Sequence, residues 1–206
     1  FKKTYLQRMQ NIRRMQKHLP ERVQKGQGTM RAFTFENATK IYFGGGCVKE
    51  HLLEAVKPYG ETVMLAYGGG SIKTNGIYQE VMDVLKLAGK QVIEFSGIMP
   101  NPTYSKVMEG KKVVQENQVD LILAVGGGSV MDCSKAISMA AATDKDVWEE
   151  YWIKKGEIDF EPVPVGVIVT VVGTGSEVNG EGVITHEEQK IKTSRNYPRC
   201  NPVFAM

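Results

Sequence analysis

A glycine-rich stretch in the middle of the chain has the residue types needed to bind an anion. Gly126–Ser129 follows Leu121–Val125, five apolar residues without polar alternation, which is typical of a strand buried on both faces of a parallel sheet. Ser129 and Asp132 fit a capping box, and the residues up to Ala142 favour a helix. The free amides and dipole at the start of that helix could hold a pyrophosphate, the alternative being a tight turn without a ligand.

Two further stretches repeat this arrangement. Gly68–Ser71 follows the apolar run Val63–Tyr67, and Thr170–Ser176 closes the run that begins at Val165. The carboxyl ends of parallel strands lie at one edge of a sheet, so these loops and a fourth loop carrying Asn101 would line one cleft. The spacing therefore predicts a nucleotide-binding α/β domain with room for a dinucleotide.

Alternation of strands and helices gives the fold class: a Rossmann-like parallel sheet flanked by helices, with an N-terminal β-hairpin at Arg31–Phe43. Thr103 is the predicted cap of one helix. Trp148–Phe160 has an irregular, partly exposed character. The predicted strands are Val63–Tyr67, Gln91–Phe95, Leu121–Val125 and Val165–Thr170, and the predicted helices include Val48–Pro58, Ile77–Leu87 and Tyr104–Asn117.

Charge divides the chain into two predicted parts, a leader at 1–29 and a dinucleotide-binding domain at 30–206. Residues 1–29 hold eight Lys or Arg and one Glu, whereas the remainder holds 18 basic and 22 acidic residues. The body gives no reason to expect a nucleic acid partner. An RNA- or membrane-binding role of the basic leader is a minor alternative to an appended or disordered extension.

Other compositional features point to a cytoplasmic protein that is not membrane-bound. The longest apolar run, Val163–Gly173, is shorter than the roughly 20 residues of a membrane helix. Cys47, Cys133 and Cys200 are odd in number and lack C-x-x-C spacing. We therefore expect reduced thiols and neither a disulfide framework nor a zinc site.

Several motifs together resemble one known family. Gly126-Gly127-Gly128-Ser129-x-x-Asp132-x-x-Lys135, Pro100-Asn101-Pro102-Thr103 and Gly173-Thr174-Gly175-Ser176-Glu177 resemble the iron-containing alcohol dehydrogenases. The stretches Tyr67–Lys73 and Asn201–Ala205 are similar to the butanol dehydrogenase branch. The resemblance extends from about Met30 to the end of the chain and keeps the motif order. A glycerol dehydrogenase or dehydroquinate synthase relative is the nearest alternative.

The resemblance implies an oxidoreductase that interconverts primary alcohols and aldehydes by hydride transfer with a nicotinamide cofactor. By that analogy Asp132 orients the pyrophosphate loop, Asn101 lies beside the nicotinamide-side ribose, and Lys192 lies near ribose hydroxyls. The pyrophosphate would lie on Gly127, Gly128 and Ser129, and the rest of the cofactor cleft would be lined by Thr170, Thr174, Ser176, Asn179 and Lys192.

The first glycine loop favours NADP(H) over NAD(H). Sites specific for NAD usually place a carboxylate on the ribose 2′-hydroxyl, and members of the resembled family that use NAD often have an acidic residue just after the first strand. Here Tyr67 is followed by three glycines and Ser71. The backbone amides of Gly69 and Gly70, with the Ser71 hydroxyl and Lys73, would suit a phosphate dianion.

The metal of the family is not expected in this chain. The family binds a divalent ion, iron or zinc, through an Asp and three His of an all-helical second domain. His18, His51 and His186 are too scattered to form that site. We therefore expect no catalytic residue here, the metal half to be missing, and the fragment to be inactive alone. A nucleotide-binding module without catalysis is the alternative, and family members are commonly homodimers or larger.

Overall fold

A parallel six-stranded sheet forms the centre of the computed structural model, which describes residues 37–206. Its strand order is β1-β8-β5-β4-β2-β3, and every neighbouring pair is parallel. The strands are β1 (Lys40–Ile41), β2 (Thr62–Tyr67), β3 (Gln91–Phe95), β4 (Leu121–Gly126), β5 (Val165–Val169) and β8 (Phe204–Ala205). The predicted Rossmann-like sheet is thereby confirmed.

Helices cover both faces of this sheet because its central strands are apolar on both sides. They are α1 (Cys47–Val56), α2 (Ser71–Thr74), α3 (Ile77–Leu87), α4 (Tyr104–Glu116) and α5 (Gly128–Ala141). Leu121, Leu123 and Val125 of β4 pack towards α1 and α3, whereas Ile122 and Ala124 pack towards α4 and α5. This alternation along β4 produces two separate apolar cores, one on each face.

A two-stranded antiparallel ribbon lies outside the main sheet. It consists of β6 (Glu181–His186) and β7 (Ile191–Asn196). The ribbon contacts α5, and a single parallel bridge joins Thr103 to Thr185 of β6. It therefore holds β7 beside the loop between β3 and α4, where Asn101 lies.

Two predictions about the start of the chain have different outcomes. The second strand of the expected hairpin is present as β1, but its described partner is the parallel strand β8. The first hairpin strand and the predicted leader at 1–29 lie outside the described residues. None of the described helices is long and apolar enough to cross a membrane.

The prediction for Trp148–Phe160 is wrong in its first part. Trp148–Ile153 is one turn of π-helix, and Trp148, Tyr151 and Trp152 are buried in the core below α5. The indole N–H of Trp148 donates to Gln189 and that of Trp152 to the carbonyl of Gly182. The two tryptophans are buried because the ribbon supplies acceptors for their N–H groups.

Candidate functional site

The start of α5 presents free backbone amides at the carboxyl end of β4. Gly127 is the N-cap residue and provides no side-chain cap. The expected capping box between Ser129 and Asp132 is wrong, because the helix begins at Gly128 and Asp132 bonds elsewhere. Among the described residues, the amides of Gly128 and Ser129 have no hydrogen-bond acceptor. An anion at this helix start would meet both amides and the positive end of the helix dipole.

The loop after β5 closes against this glycine turn. The amide of Thr170 donates to the carbonyl of Gly126 at 3.0 Å. A Cβ added at Gly128 would lie 2.8 Å from Thr174 Cγ2, and one added at Gly127 would lie 3.3 Å from Val171 Cβ. Side chains larger than hydrogen at these two glycines would push the loop away, so the turn and the loop form one surface.

A buried charged cluster joins α5 to the same loop. Lys135 is 2% exposed, and its Nζ donates to the carbonyl and hydroxyl oxygens of Ser176 at 2.9 and 2.7 Å and to the carbonyl of Asn179 at 3.0 Å. Asp132 accepts from the Ser176 hydroxyl at 2.6 Å and from the Val183 amide at 3.2 Å. The side chains of Ser176 and Asn179 thus bond within the protein and position the loop.

Burial shifts the titration of both charged groups in this cluster. Removal from water raises the pKa of Asp132, against the opposing effect of its bond from Ser176 and of Lys135. Burial lowers the pKa of Lys135 to about 8, against the opposing attraction of Asp132, whose carboxylate lies 3.9 Å away. The charged forms of Asp132 and Lys135 are therefore stabilised by each other and by their hydrogen-bond partners in the loop.

The first glycine loop lies at the carboxyl end of β2. Its carbonyl at Gly68 accepts from the amide of Gly97, and a Cβ added at Gly68 would lie 3.2 Å from the carbonyl of Ile98. Gly70 has a φ of 106° and precedes the short helix α2, which begins with Ser71. Gly69 is exposed, and an added Cβ there would meet no described atom within 4 Å.

Lys73 of α2 is not a free cation in this structure. Its Nζ lies 3.2 Å from Glu94 Oε2 on β3 and over the rings of Tyr67 and Tyr78. Both tyrosine hydroxyls also donate to Glu94. The sequence shows no carboxylate directly after β2, but the neighbouring strand brings one to the same place.

Asn101 and Lys192 meet across the cleft edge. Asn101 has a φ of 56° and lies in the loop after β3, and its Oδ1 accepts a hydrogen bond from the Lys192 ammonium on β7. The Thr185 amide donates to the carbonyl of Pro102 at 2.9 Å, which fixes the ribbon against this loop. Two residues 91 positions apart are therefore neighbours, as the expectation that both line one cleft requires.

The fourteen predicted site residues fall into two groups. Those exposed or half-buried along the cleft edge are Gly69, Gly70, Ser71, Lys73, Asn101, Gly127, Gly128, Ser129, Thr170, Thr174 and Lys192. Asp132, Ser176 and Asn179 form the positioning cluster behind it. Sequence reasoning missed Lys135 and Glu94. Lys135 had a signal, since its spacing of three from Asp132 places both on one helix face, whereas Glu94 had none.

The histidines of the described part do not form a metal centre. His51 stacks on Tyr42 beside Glu50. His186 ends β6, and its ring lies against Tyr104 and Trp148. No group of three or more His, Cys, Asp or Glu in residues 37–206 could hold a metal ion. The described residues do not fit the metal of the resembled family.

Comparison with known proteins gives a match to one family. The family model described as "Iron-containing alcohol dehydrogenase" matches residues 38–206. The "Probable NADH-dependent butanol dehydrogenase 1" of Bacillus subtilis is 44% identical over 86% of this chain and 45% of its own length. The "NADPH-dependent aldehyde reductase YqhD" of Escherichia coli is 37% identical over 86% of this chain and 45% of its own.

Solved structures agree with the sequence matches. The crystal structure of NADH-dependent butanol dehydrogenase A from Thermotoga maritima superposes with a TM-score of 0.80 at 39% identity, covering 85% of this chain and 44% of that one. A crystal structure of E. coli YqhD gives a TM-score of 0.78 at 37% identity over the same shares. The chain thus spans less than half the length of these relatives.

Proposed function

The chain belongs to the iron-containing alcohol dehydrogenase family, and from that premise we propose that it binds NADP(H) for an oxidoreductase interconverting primary alcohols and aldehydes. One observation carries the proposal. The helix start at Gly128 leaves amides free at the carboxyl end of β4, and the Thr170–Asn179 loop closes beside it. That combination suits a pyrophosphate with a nucleoside on either side.

Each part of the cleft has a binding role in this proposal. The amides of Gly128 and Ser129 hold the pyrophosphate, and Thr174 bounds its loop side. Asn101 and Lys192, already joined to each other, orient the nicotinamide-side ribose by offering an amide and a cation to its hydroxyls. The bound nicotinamide supplies the hydride acceptor or donor, and this chain's residues fix where its ring lies.

Preference for NADP(H) is the finer part of the proposal. Support comes from the Gly69–Gly70 turn, which is exposed at Gly69, and from Ser71 and Lys73 of the short helix α2 that follows it. The Glu94 carboxylate works against a 2′-phosphate, because it already pairs with Lys73. The relatives include one named for NADH and one named for NADPH. We accordingly propose a preference for NADPH rather than exclusion of NADH.

Catalysis is proposed for the whole protein, with this chain supplying the cofactor site. The described residues provide no ligand set for a metal that would polarise an alcohol oxygen. We therefore expect no alcohol oxidation by the 206-residue chain with added iron, zinc or manganese. Metal-dependent turnover above a buffer control would overturn that part. A cytoplasmic location and a homodimer or larger assembly belong to the same proposal.

The test is a titration of the chain with NADPH and then NADH, followed by nucleotide fluorescence. The matched variants are Gly128→Val, which forces a side chain into Thr174 and the helix start, and Gly45→Val, a glycine with open space around its Cβ position. Saturable NADPH binding, tighter than NADH binding and lost only in the first variant, supports the proposal. A folded wild-type chain that binds neither nucleotide overturns it.

A further inference from the structure

Glu94 is the shared hydrogen-bond acceptor of a polar cluster beside the first glycine loop. It is on β3, one residue before the strand ends, and its side chain is 41% exposed. Oε2 accepts from the Tyr67 hydroxyl at 2.5 Å and from Lys73 Nζ at 3.2 Å, and Oε1 accepts from the Tyr78 hydroxyl at 2.6 Å. Three donors from β2, α2 and α3 therefore converge on one carboxylate.

The contacts keep both members of the ion pair charged. The hydrogen bond from Tyr67, followed by that from Tyr78, lowers the pKa of Glu94 below its ordinary value. Contacts with Tyr67 and Glu94 raise the pKa of Lys73. At neutral pH the cluster thus carries one negative and one positive charge, and its net charge is zero.

Geometry also determines where the Lys73 ammonium is held. Its Nζ lies 4.5 Å from the Tyr78 ring centre and 5.2 Å from the Tyr67 ring centre, with the Glu94 carboxylate alongside. Cation–ring attraction remains if the carboxylate is removed, so the ammonium would stay in the cluster. Replacing Glu94 by a neutral residue would therefore leave the positive charge of Lys73 unbalanced but still beside the Gly68–Ser71 turn.

We propose that Glu94 limits the preference of this cleft for NADPH, because it balances the charge of Lys73 and disfavours a 2′-phosphate. The inference rests on the proposed dinucleotide site. A phosphate dianion near the turn is attracted by Lys73 and repelled by Glu94, whereas a ribose 2′-hydroxyl experiences neither effect strongly.

The test replaces Glu94 by its neutral isostere. Glu94→Gln is expected to tighten NADPH binding roughly fivefold, as suits the loss of one partly screened charge, and to leave NADH binding within about twofold. Glu116→Gln is the matched control, because Glu116 is an exposed carboxylate paired with Lys112 at the far end of α4. The added substitution Lys73→Met should abolish the gain, and high salt should reduce it.

Two other outcomes would overturn the inference. An unchanged ratio of NADPH to NADH affinity in Glu94→Gln would show that the carboxylate has no influence on the nucleotide. Weaker NADPH binding would show that Glu94 positions Lys73 rather than opposing the phosphate. Either result leaves the proposed function intact if the wild-type chain binds a dinucleotide. Failure of the folded wild-type chain to bind both nucleotides overturns the proposed function and this inference together.

Discussion

Three serines on or against α5 differ in their hydrogen bonding and should differ in their contribution to stability. The Ser176 hydroxyl, 4% exposed, donates to Asp132 and accepts from Lys135. The Ser138 hydroxyl, 1% exposed, donates to the neutral carbonyl of Val163. The Ser134 hydroxyl is fully buried, and none of the described atoms is its hydrogen-bond partner. Substitution by Ala removes a single oxygen in each case.

The expected free energies of unfolding follow from those partners. Ser176→Ala deprives two buried charged groups of one bond each, and at the low end of about 1.5 kcal/mol per bond the loss is about 3 kcal/mol. The low end applies because Asp132 keeps the Val183 amide and Lys135 keeps two carbonyls. Ser138→Ala should cost about 1 kcal/mol for a neutral bond. Ser134→Ala should stabilise by about 1 kcal/mol, because an unsatisfied buried hydroxyl is removed and Ala favours the helix.

Urea-induced unfolding of the three variants and the wild type measures these differences, provided the slopes agree. NADPH affinity gives a second readout, because Ser176 holds the turn that carries Thr174. Ser176→Ala should weaken NADPH binding severalfold, and Ser138→Ala should leave it unchanged. Equal costs for Ser176→Ala and Ser138→Ala would refute the claim that the charged cluster fixes the loop. So would a loss of stability without a loss of affinity.

Two further predictions concern the packing and titration of α5. Gly110→Ala should destabilise by about 2 kcal/mol through overpacking, because the new Cβ would clash with Ile137 Cδ1 and lie 2.6 Å from Ile137 Cγ1. Adding Ile137→Val removes Cδ1 and should recover part of that loss in urea unfolding. Burial lowers the pKa of Lys135 from 10.5 to about 8 in the folded chain. Between pH 8 and pH 10.5 the unfolded chain therefore binds more protons than the folded chain. The contribution of Lys135 to the free energy of unfolding consequently rises with pH in this range. The stability difference between wild type and Lys135→Met should therefore grow by about 2 kcal/mol from pH 8 to pH 10, and a difference independent of pH would contradict the shift.

Much of the sheet could be predicted because its strands carry an unambiguous signal. Unbroken apolar runs such as Leu121–Val125, each followed by glycines, indicate strands buried on both faces that end at a turn. The structure places these runs at β2, β4 and β5 with bounds within one residue of those expected. Thr103 caps α4 as predicted, by accepting from the Lys106 amide. Local chemistry is sufficient for features of this kind.

Features that depend on distant partners could not be predicted in the same way. The indole N–H groups of Trp148 and Trp152 need hydrogen-bond acceptors when they are buried. Those acceptors come from the ribbon, which lies later in the sequence. Glu94 has no local sign of its role, because its three donors come from β2, α2 and α3. The Asn101–Lys192 contact likewise depends on how the ribbon packs. In each case the partner is fixed by tertiary structure rather than by spacing in the sequence.

The failure of the capping-box prediction explains how α5 is organised. A side-chain cap at Ser129 would have satisfied the first-turn amides, leaving fewer of them for an anion. Instead Gly127 provides no cap, and Asp132 and Lys135, in the following turns, hold the Ser176 turn from behind. The first two amides of α5 therefore keep no described acceptor, while the later turns fix the loop that borders them. This division requires a charged pair behind the loop, because apolar contacts alone would leave the carbonyls of Ser176 and Asn179 without a hydrogen-bond donor.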